Sequence, residues 1–263
     1  MNDSSAIEYS CKDRIATIAF NRPEKLNAID DDFIRELIQT LRRFDSDQDA
    51  DVAVLCGNGR AFSSGADVQK RQLRSREEFL RMGGMSTDEI DPYQMLVRSK
   101  QWKPVIAAVH GYALGMALVL SLKCEFLIAA EGTRFQCTET PRGLSGAIIW
   151  ALLHDKGAEA FATDVTLTGR FFTAEEAYAA GAIYSVTPAG QHREVAYALA
   201  AKIAANPPLG VRSAVRVRRF HIEALQRGVL SHVEPLKLHL TNDFQEAAQA
   251  FSQKRKAGPF RGE

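Results

Sequence analysis

Two segments of this 263-residue chain combine small residues, turns and flanking apolar runs in a way that suits anion chemistry. The first is Gly57-Asn58-Gly59-Arg60-Ala61-Phe62-Ser63-Ser64-Gly65-Ala66-Asp67-Val68. Small residues let a ligand approach the backbone closely. Backbone amides near a helix N-terminus suit a developing negative charge. The second runs from Lys103-Pro104-Val105-Ile106-Ala107-Ala108-Val109 through His110-Gly111-Tyr112-Ala113-Leu114-Gly115-Met116-Ala117. It has the same form, a buried-looking run followed by a turn and a helix. Two such turns can aim two amides at one oxygen, although each also reads as a plain strand-to-helix connection. Neither has the Gly-x-Gly-x-x-Gly spacing of a dinucleotide site.

Such turns need strands before them and helices after them. Strands are predicted at Ile15–Phe20, Val52–Cys56, Val105–Val109 and Phe126–Ala130. Asp30 can cap a helix whose apolar face is Phe33, Ile34, Leu37, Ile38, Leu41 and Phe44. A short helix is expected from Met116 to Lys123, and Leu73 to Pro92 reads as irregular or partly helical. After about Thr168 the texture turns helical, with a Thr173-Ala174-Glu175-Glu176 capping box and a helix end at Gly181. Asn206-Pro207-Pro208 breaks the chain, and Leu236, Leu240, Phe244 and Phe251 suggest one face of the last helix. Alternating strands and helices indicate an α/β architecture. Residues 1–205 are expected to form the core with the active site, and 206–263 a C-terminal helical region.

Composition narrows the function classes. The 33 basic and 32 acidic residues give a net charge of +1, so no electrostatic footprint for nucleic acid or an anionic membrane exists. The start, Met1-Asn2-Asp3-Ser4-Ser5, lacks the basic and apolar regions of a signal peptide. Cys11, Cys56, Cys124 and Cys137 form no Cys-x-x-Cys pair, which reads as reduced thiols in a cytoplasmic protein without a metal site.

Four ordered segments resemble the crotonase (enoyl-CoA hydratase/isomerase) superfamily. Asn21-Arg22-Pro23-Glu24-Lys25-Leu26-Asn27-Ala28 is similar to its N-terminal signature. Ala61–Asp67 and Lys103–Gly115 are similar to its two oxyanion loops, and Phe251-Ser252-Gln253-Lys254-Arg255-Lys256 to its tail. The resemblance implies a spiral of β-β-α units with a C-terminal helical trimerisation region, assembled as a trimer or hexamer. It implies an acyl-CoA thioester substrate whose oxygen is held by the amides of Ala66 and Met116, with no cofactor beyond the coenzyme A of the substrate. Lys25, Leu26, Ser64, Asp67, Phe251 and Lys254 fall where relatives contact coenzyme A.

Family hydratases use two glutamates. The resemblance places one at Glu139, in Phe135-Gln136-Cys137-Thr138-Glu139-Thr140-Pro141, and Val119 at the other. Valine cannot move a proton. A single carboxylate can still take a proton from the α or γ carbon of an enoyl thioester and return it at the other. A double-bond isomerase or lyase is therefore expected, against a hydratase that works without the second glutamate or a non-catalytic acyl-CoA-binding protein. Arg142-Gly143-Leu144-Ser145-Gly146-Ala147 lacks the family's Gly-Gly-Thr run, which leaves the acyl group open. Glu125 reads as a structural alternative to Glu139. His110, His154 and His221 show no partner pattern beyond the sequence-adjacent His154-Asp155 pair.

Overall fold

The computed structural model describes residues 5–85, 96 and 99–263. Strands β1 (Ile7–Lys12) and β2 (Ile15–Phe20) form a hairpin whose turn holds Asp13 and Arg14 at positive φ. Helix α1 (Asp31–Ser46) follows, with the Asp30 carboxylate accepting from the Phe33 amide at 3.0 Å. Its buried face is Phe33, Ile34, Leu37, Leu41 and Phe44. Then come β3 (Val52–Gly57), α2 (Val68–Arg71), α3 (Arg76–Met82), β4 (Val105–Val109), β5 (Tyr112–Leu114), α4 (Met116–Lys123), β6 (Phe126–Ala130) and β7 (Arg134–Gln136). The expected irregular stretch from Leu73 to Pro92 contains α3, and residues 86–92 lie outside the described residues.

The remaining elements are α5 (Ala147–Asp155), α6 (Glu159–Thr168), β8 (Phe171–Thr173), α7 (Ala174–Ala179), β9 (Ser185–Thr187), α8 (His192–Ala204), α9 (Pro208–Val233) and α10 (Asn242–Ser252). The change of texture expected near Thr168 is corrected here. Helices begin earlier, with α5 and α6, and strands continue later, since β9 pairs with β6. Leu236 and Leu240 also do not belong to the last helix. Lys237 adopts φ 46°, which splits this run into two short 3-10 turns before α10 starts.

The main sheet has the order β1-β2-β3-β4-β6-β9, parallel except for the first pair. Every residue of β3 is buried, because the sheet is covered on both faces. Ala53 and Leu55 enter the main core, while Val52, Val54 and Cys56 pack under Ala196 and Ala200 of α8. A second layer repeats the same step. Ser63 bridges to Ala113, and β5 pairs in parallel with β7. Each long strand therefore hands the chain to a short one in the next layer, giving a spiral of β-β-α turns.

Helix α9 is tied to this core by charge. Glu125 accepts from Arg219 at 3.0 and 2.9 Å, from Arg218 at 3.2 Å and from the Val105 amide at 2.7 Å. The carboxylate is buried and fully engaged, so Glu125 is structural. His221 pairs with Asp155 at 2.6 Å, whereas His154 stacks on Trp150. The sequence-adjacent histidine and aspartate therefore serve different partners.

The N-terminal signature is stapled to the first turn by Asn27. Its side chain donates to the carbonyls of Asn58 and Ala61 at 3.0 and 2.9 Å and accepts from the Arg22 amide at 2.8 Å. It is fully buried and sits at φ 52°, a conformation asparagine tolerates better than most residues. Asn27→Ala is expected to lower stability by about 2–4 kcal/mol, because it strands buried carbonyls. Urea unfolding with an unchanged slope and a lowered midpoint is the check.

Candidate active site

The two turns singled out by their small residues meet in space. Gly65, at φ 82°, packs so closely on the second turn that a Cβ there would lie 2.4 Å from the Leu114 carbonyl oxygen and 3.8 Å from the Met116 nitrogen. The first turn is held by Ser63, whose hydroxyl donates to the Asn27 carbonyl at 2.7 Å and accepts from the Gly65 amide at 3.1 Å. Ile29 donates to the Gly65 carbonyl at 2.8 Å. These bonds fix the peptide that carries the Ala66 amide. The Met116 amide opens α4, where first-turn amides have no intrahelical acceptor. Neither amide donates to a protein acceptor among the described residues.

Glu139 sits directly beside this pair. A Cβ at Gly115 would lie 2.3 Å from Thr138 Oγ1 and 3.0 Å from Glu139 Oε1. Gly115 has φ 50° and ψ −116°, which a side chain would strain. Glycine is thus required twice, by conformation and by space. The Glu139 residue as a whole is half-buried, yet its Oε2 is shut off from solvent with no protein hydrogen-bond partner. Burial pushes its carboxyl up to about 7. Its own amide, the Cys137 thiol, the Arg142 charge and the Thr138 hydroxyl pull less strongly the other way. A buried acceptor left open next to two unused donors is the arrangement a proton-transfer site requires.

A cavity of about 740 Å³ contains these groups. Lys25, Ser64, Ala66, Asp67, Met116, Glu139 and Phe251 all border it. Leu26 and Lys254 do not. The Leu26 carbonyl instead accepts from the Ser64 amide at 2.9 Å, and Lys254 lies exposed beyond α10. Leu230, Val233 and Leu238 close the cavity from the C-terminal region of the same chain. That region therefore lines part of the site.

Val119 is packed in the main core and is not among the described residues that line the cavity. Among the described residues the lining carboxylates are Asp67, Glu139 and Glu234. Asp67 caps α2 by accepting from the Lys70 amide at 3.2 Å, and Glu234 follows the end of α9. Glu139 is the one packed against the oxyanion turn. Sequence reading missed Arg142 and Gln72, which line the cavity and bond to each other at 2.9 Å. A cation three residues after the carboxylate was the available signal for Arg142.

Gly115→Ala is expected to leave a folded protein with turnover of its acyl-CoA substrate reduced by about 100- to 1,000-fold, the loss typical of a displaced oxyanion donor. Circular dichroism checks the fold and steady-state kinetics the loss.

The chain matches the enoyl-CoA hydratase/isomerase family over residues 10–262. It is 32% identical over 255 residues to 2,3-dehydroadipyl-CoA hydratase of Escherichia coli, covering 95% of this chain and 97% of that one. It is 32% identical over 263 residues to (E)-benzylidenesuccinyl-CoA hydratase of Thauera aromatica, covering 97% and 99%. A crystal structure of an enoyl-CoA hydratase/isomerase from Mycobacterium paratuberculosis superposes with a TM-score of 0.79 at 27% identity, covering 95% and 99%. With the spiral fold, the paired amide turns and the buried glutamate in place, the chain belongs to the enoyl-CoA hydratase/isomerase family and is an acyl-CoA enzyme of that type.

Proposed function

We propose that this enzyme shifts the double bond of an enoyl-CoA thioester, with Glu139 as its single acid/base and the Ala66 and Met116 amides as its oxyanion donors. The observation that carries this reading is the Glu139 carboxylate, open at Oε2 and packed against Gly115. The carboxylate takes a proton from the α carbon of a 3-enoyl thioester. The electron pair delocalises onto the thioester oxygen, where the two amides meet it. The carboxylic acid then returns the proton at the γ carbon, leaving the 2-enoyl thioester. Atoms and electrons balance without a cofactor. A retro-aldol or related lyase step would use the same enolate and the same amides.

On this reading Lys25, Ser64 and Asp67, which border the cavity, contact coenzyme A together with Leu26 and Lys254, whereas Phe251, packed on the Arg142 guanidinium, lies toward the acyl end. Hydration is the second reading. It is favoured by similarity to two enzymes with hydratase names, and opposed by Val119 in the core where a water-activating carboxylate would be needed. A mass-spectrometric screen of 2-enoyl-, 3-enoyl- and aroyl-CoA thioesters separates the two. Isomerisation conserves mass, and hydration adds one water.

The C-terminal region, 206–263, is proposed to mediate assembly into a trimer or hexamer. Leu209, Val217 and Phe220 stand 77%, 70% and 65% exposed along α9, an apolar strip that a lone chain leaves in water. Light scattering is expected to show a trimer or larger at micromolar concentration, and a monomer there would overturn this assignment.

Glu139→Gln is expected to lower turnover by about 100- to 10,000-fold, the usual contribution of a general acid–base group. Affinity for the thioester should stay within several-fold. The wild-type kcat/KM should fall as pH drops through about 7, because the base becomes protonated. The same raised value opposes folding as pH rises above the ordinary carboxyl range, since the folded state then holds an unwelcome charge. Glu139→Gln should therefore unfold at higher urea than wild type above pH 7. A variant with wild-type turnover would remove Glu139 from the mechanism.

A further inference from the structure

We propose that Arg142 reads an anionic group on the acyl chain, so that the preferred substrate is the coenzyme A thioester of a dicarboxylic acid. The inference rests on the acyl-CoA reading above and specifies its acyl group.

Arg142 ends the 3-10 turn Thr140–Arg142 that follows Glu139, and its amide donates to the Glu139 carbonyl at 3.0 Å. The backbone therefore fixes the main chain of Arg142 relative to that of Glu139, and Phe251 and Gln72 position its side chain. The guanidinium carbon lies 3.7 Å from the centroid of the Phe251 ring, and Nη1 donates to Gln72 Oε1 at 2.9 Å. A ring against one face and an amide at one corner leave the remaining N–H edge without an acceptor among the described residues. That edge can take a carboxylate in its plane, with two parallel hydrogen bonds.

The charge on Arg142 is unbalanced. The fully buried Arg71 and Arg219 each hold a carboxylate, Asp31 and Glu125 respectively. Arg142 makes no ion pair among the described residues. Burial lowers its pKa, and Glu139 is the charge that opposes this. Glu139, with its carboxyl near 7, is only partly ionised at neutral pH. Arginine does not give up its proton inside a protein, so the cavity retains a half-buried cation. An acyl carboxylate would supply the missing counter-charge. Leu144, Leu230 and Val233 border the same cavity and would take its methylenes.

The test compares two enoyl-CoA thioesters of equal length, one ending in a carboxylate and the other in the neutral primary amide. Wild type is expected to favour the carboxylate in kcat/KM by about 10- to 100-fold, the range of a charge-assisted hydrogen bond. Arg142→Met should bring the ratio near one, and Arg142→Lys should keep part of it. A wild-type ratio near one overturns the proposal, as does a ratio that survives Arg142→Met. Equal loss on both substrates with a shifted pH limb would also overturn it, making Arg142 only an electrostatic neighbour of Glu139. Calorimetric binding of the corresponding saturated thioesters to wild type reads the same preference without turnover. A binding preference with no isomerisation or hydration of either enoyl thioester would keep this inference and sink the proposed reaction. If the variants fail to fold, the wild-type ratios in binding and turnover decide.

Discussion

The site is built around a methyl group that is not there. At residue 115 a Cβ would overlap Thr138 Oγ1 and crowd Glu139 Oε1. Its absence lets the second amide turn and the glutamate approach within contact. The spiral makes that approach inevitable. β5 pairs in parallel with β7, and the Gly115 amide donates to the Gln136 carbonyl at 3.0 Å. The residue before α4 and the residues after β7 are thus neighbours by strand register, whatever their side chains. Gly65 repeats the device one layer earlier, against Leu114. Strand pairing sets the coarse position, and two glycines remove what would hold the parts apart.

The carboxylates divide by what surrounds them. Glu125 has two arginines and an amide, and it fastens α9 to the sheet. Asp30 is also buried, which alone would raise its pKa. Lys70, the Phe33 amide and Arg22 outweigh burial and hold it at about 2. Such a group stabilises the fold above the ordinary aspartate value and loses this as pH falls toward 2. Glu139 has burial without such partners and shifts upward to about 7. The same residue chemistry therefore supports the fold at Asp30 and opposes it at Glu139. Stability is sacrificed at the position where a mobile proton is useful.

Much of this was legible in the sequence. The four longer parallel strands show as short apolar runs and α1 as an apolar face at helical period, and Met116–Lys123 is bounded by glycine and a polar turn, so the pattern matches the helix observed. Strands β7, β8 and β9 span three residues each, too few for alternation to register, and they exist because the spiral offers them an edge. Leu236 and Leu240 fit helical spacing, yet Lys237 takes a left-handed conformation that spacing cannot reveal. Glu139 without the family resemblance is a glutamate between two threonines. Its burial depends on a segment distant in the chain, the turn at Gly115. Arg142 was visible as a charge, but that no carboxylate among the described residues pairs with it is a property of three dimensions only.

Main-chain donors make such a site tolerant of side-chain change. Met116 keeps its amide whatever its side chain, so on the proposed reading anion stabilisation there does not depend on residue type. Val119 shows the other half of this. A second carboxylate near Glu139 would repel its charge and raise its pKa further. Burial dominates at Glu139 and raises its carboxyl to about 7. On the proposed reading that value is the useful one. An isomerase needs one group that removes a proton and then returns it, with comparable ease in both directions. A carboxylate of ordinary pKa would be too weak a base to remove the proton, and a much higher one would hold it too tightly to let go. On that reading valine at position 119 supplies no group to activate water, and Glu139 alone carries the proton within the substrate.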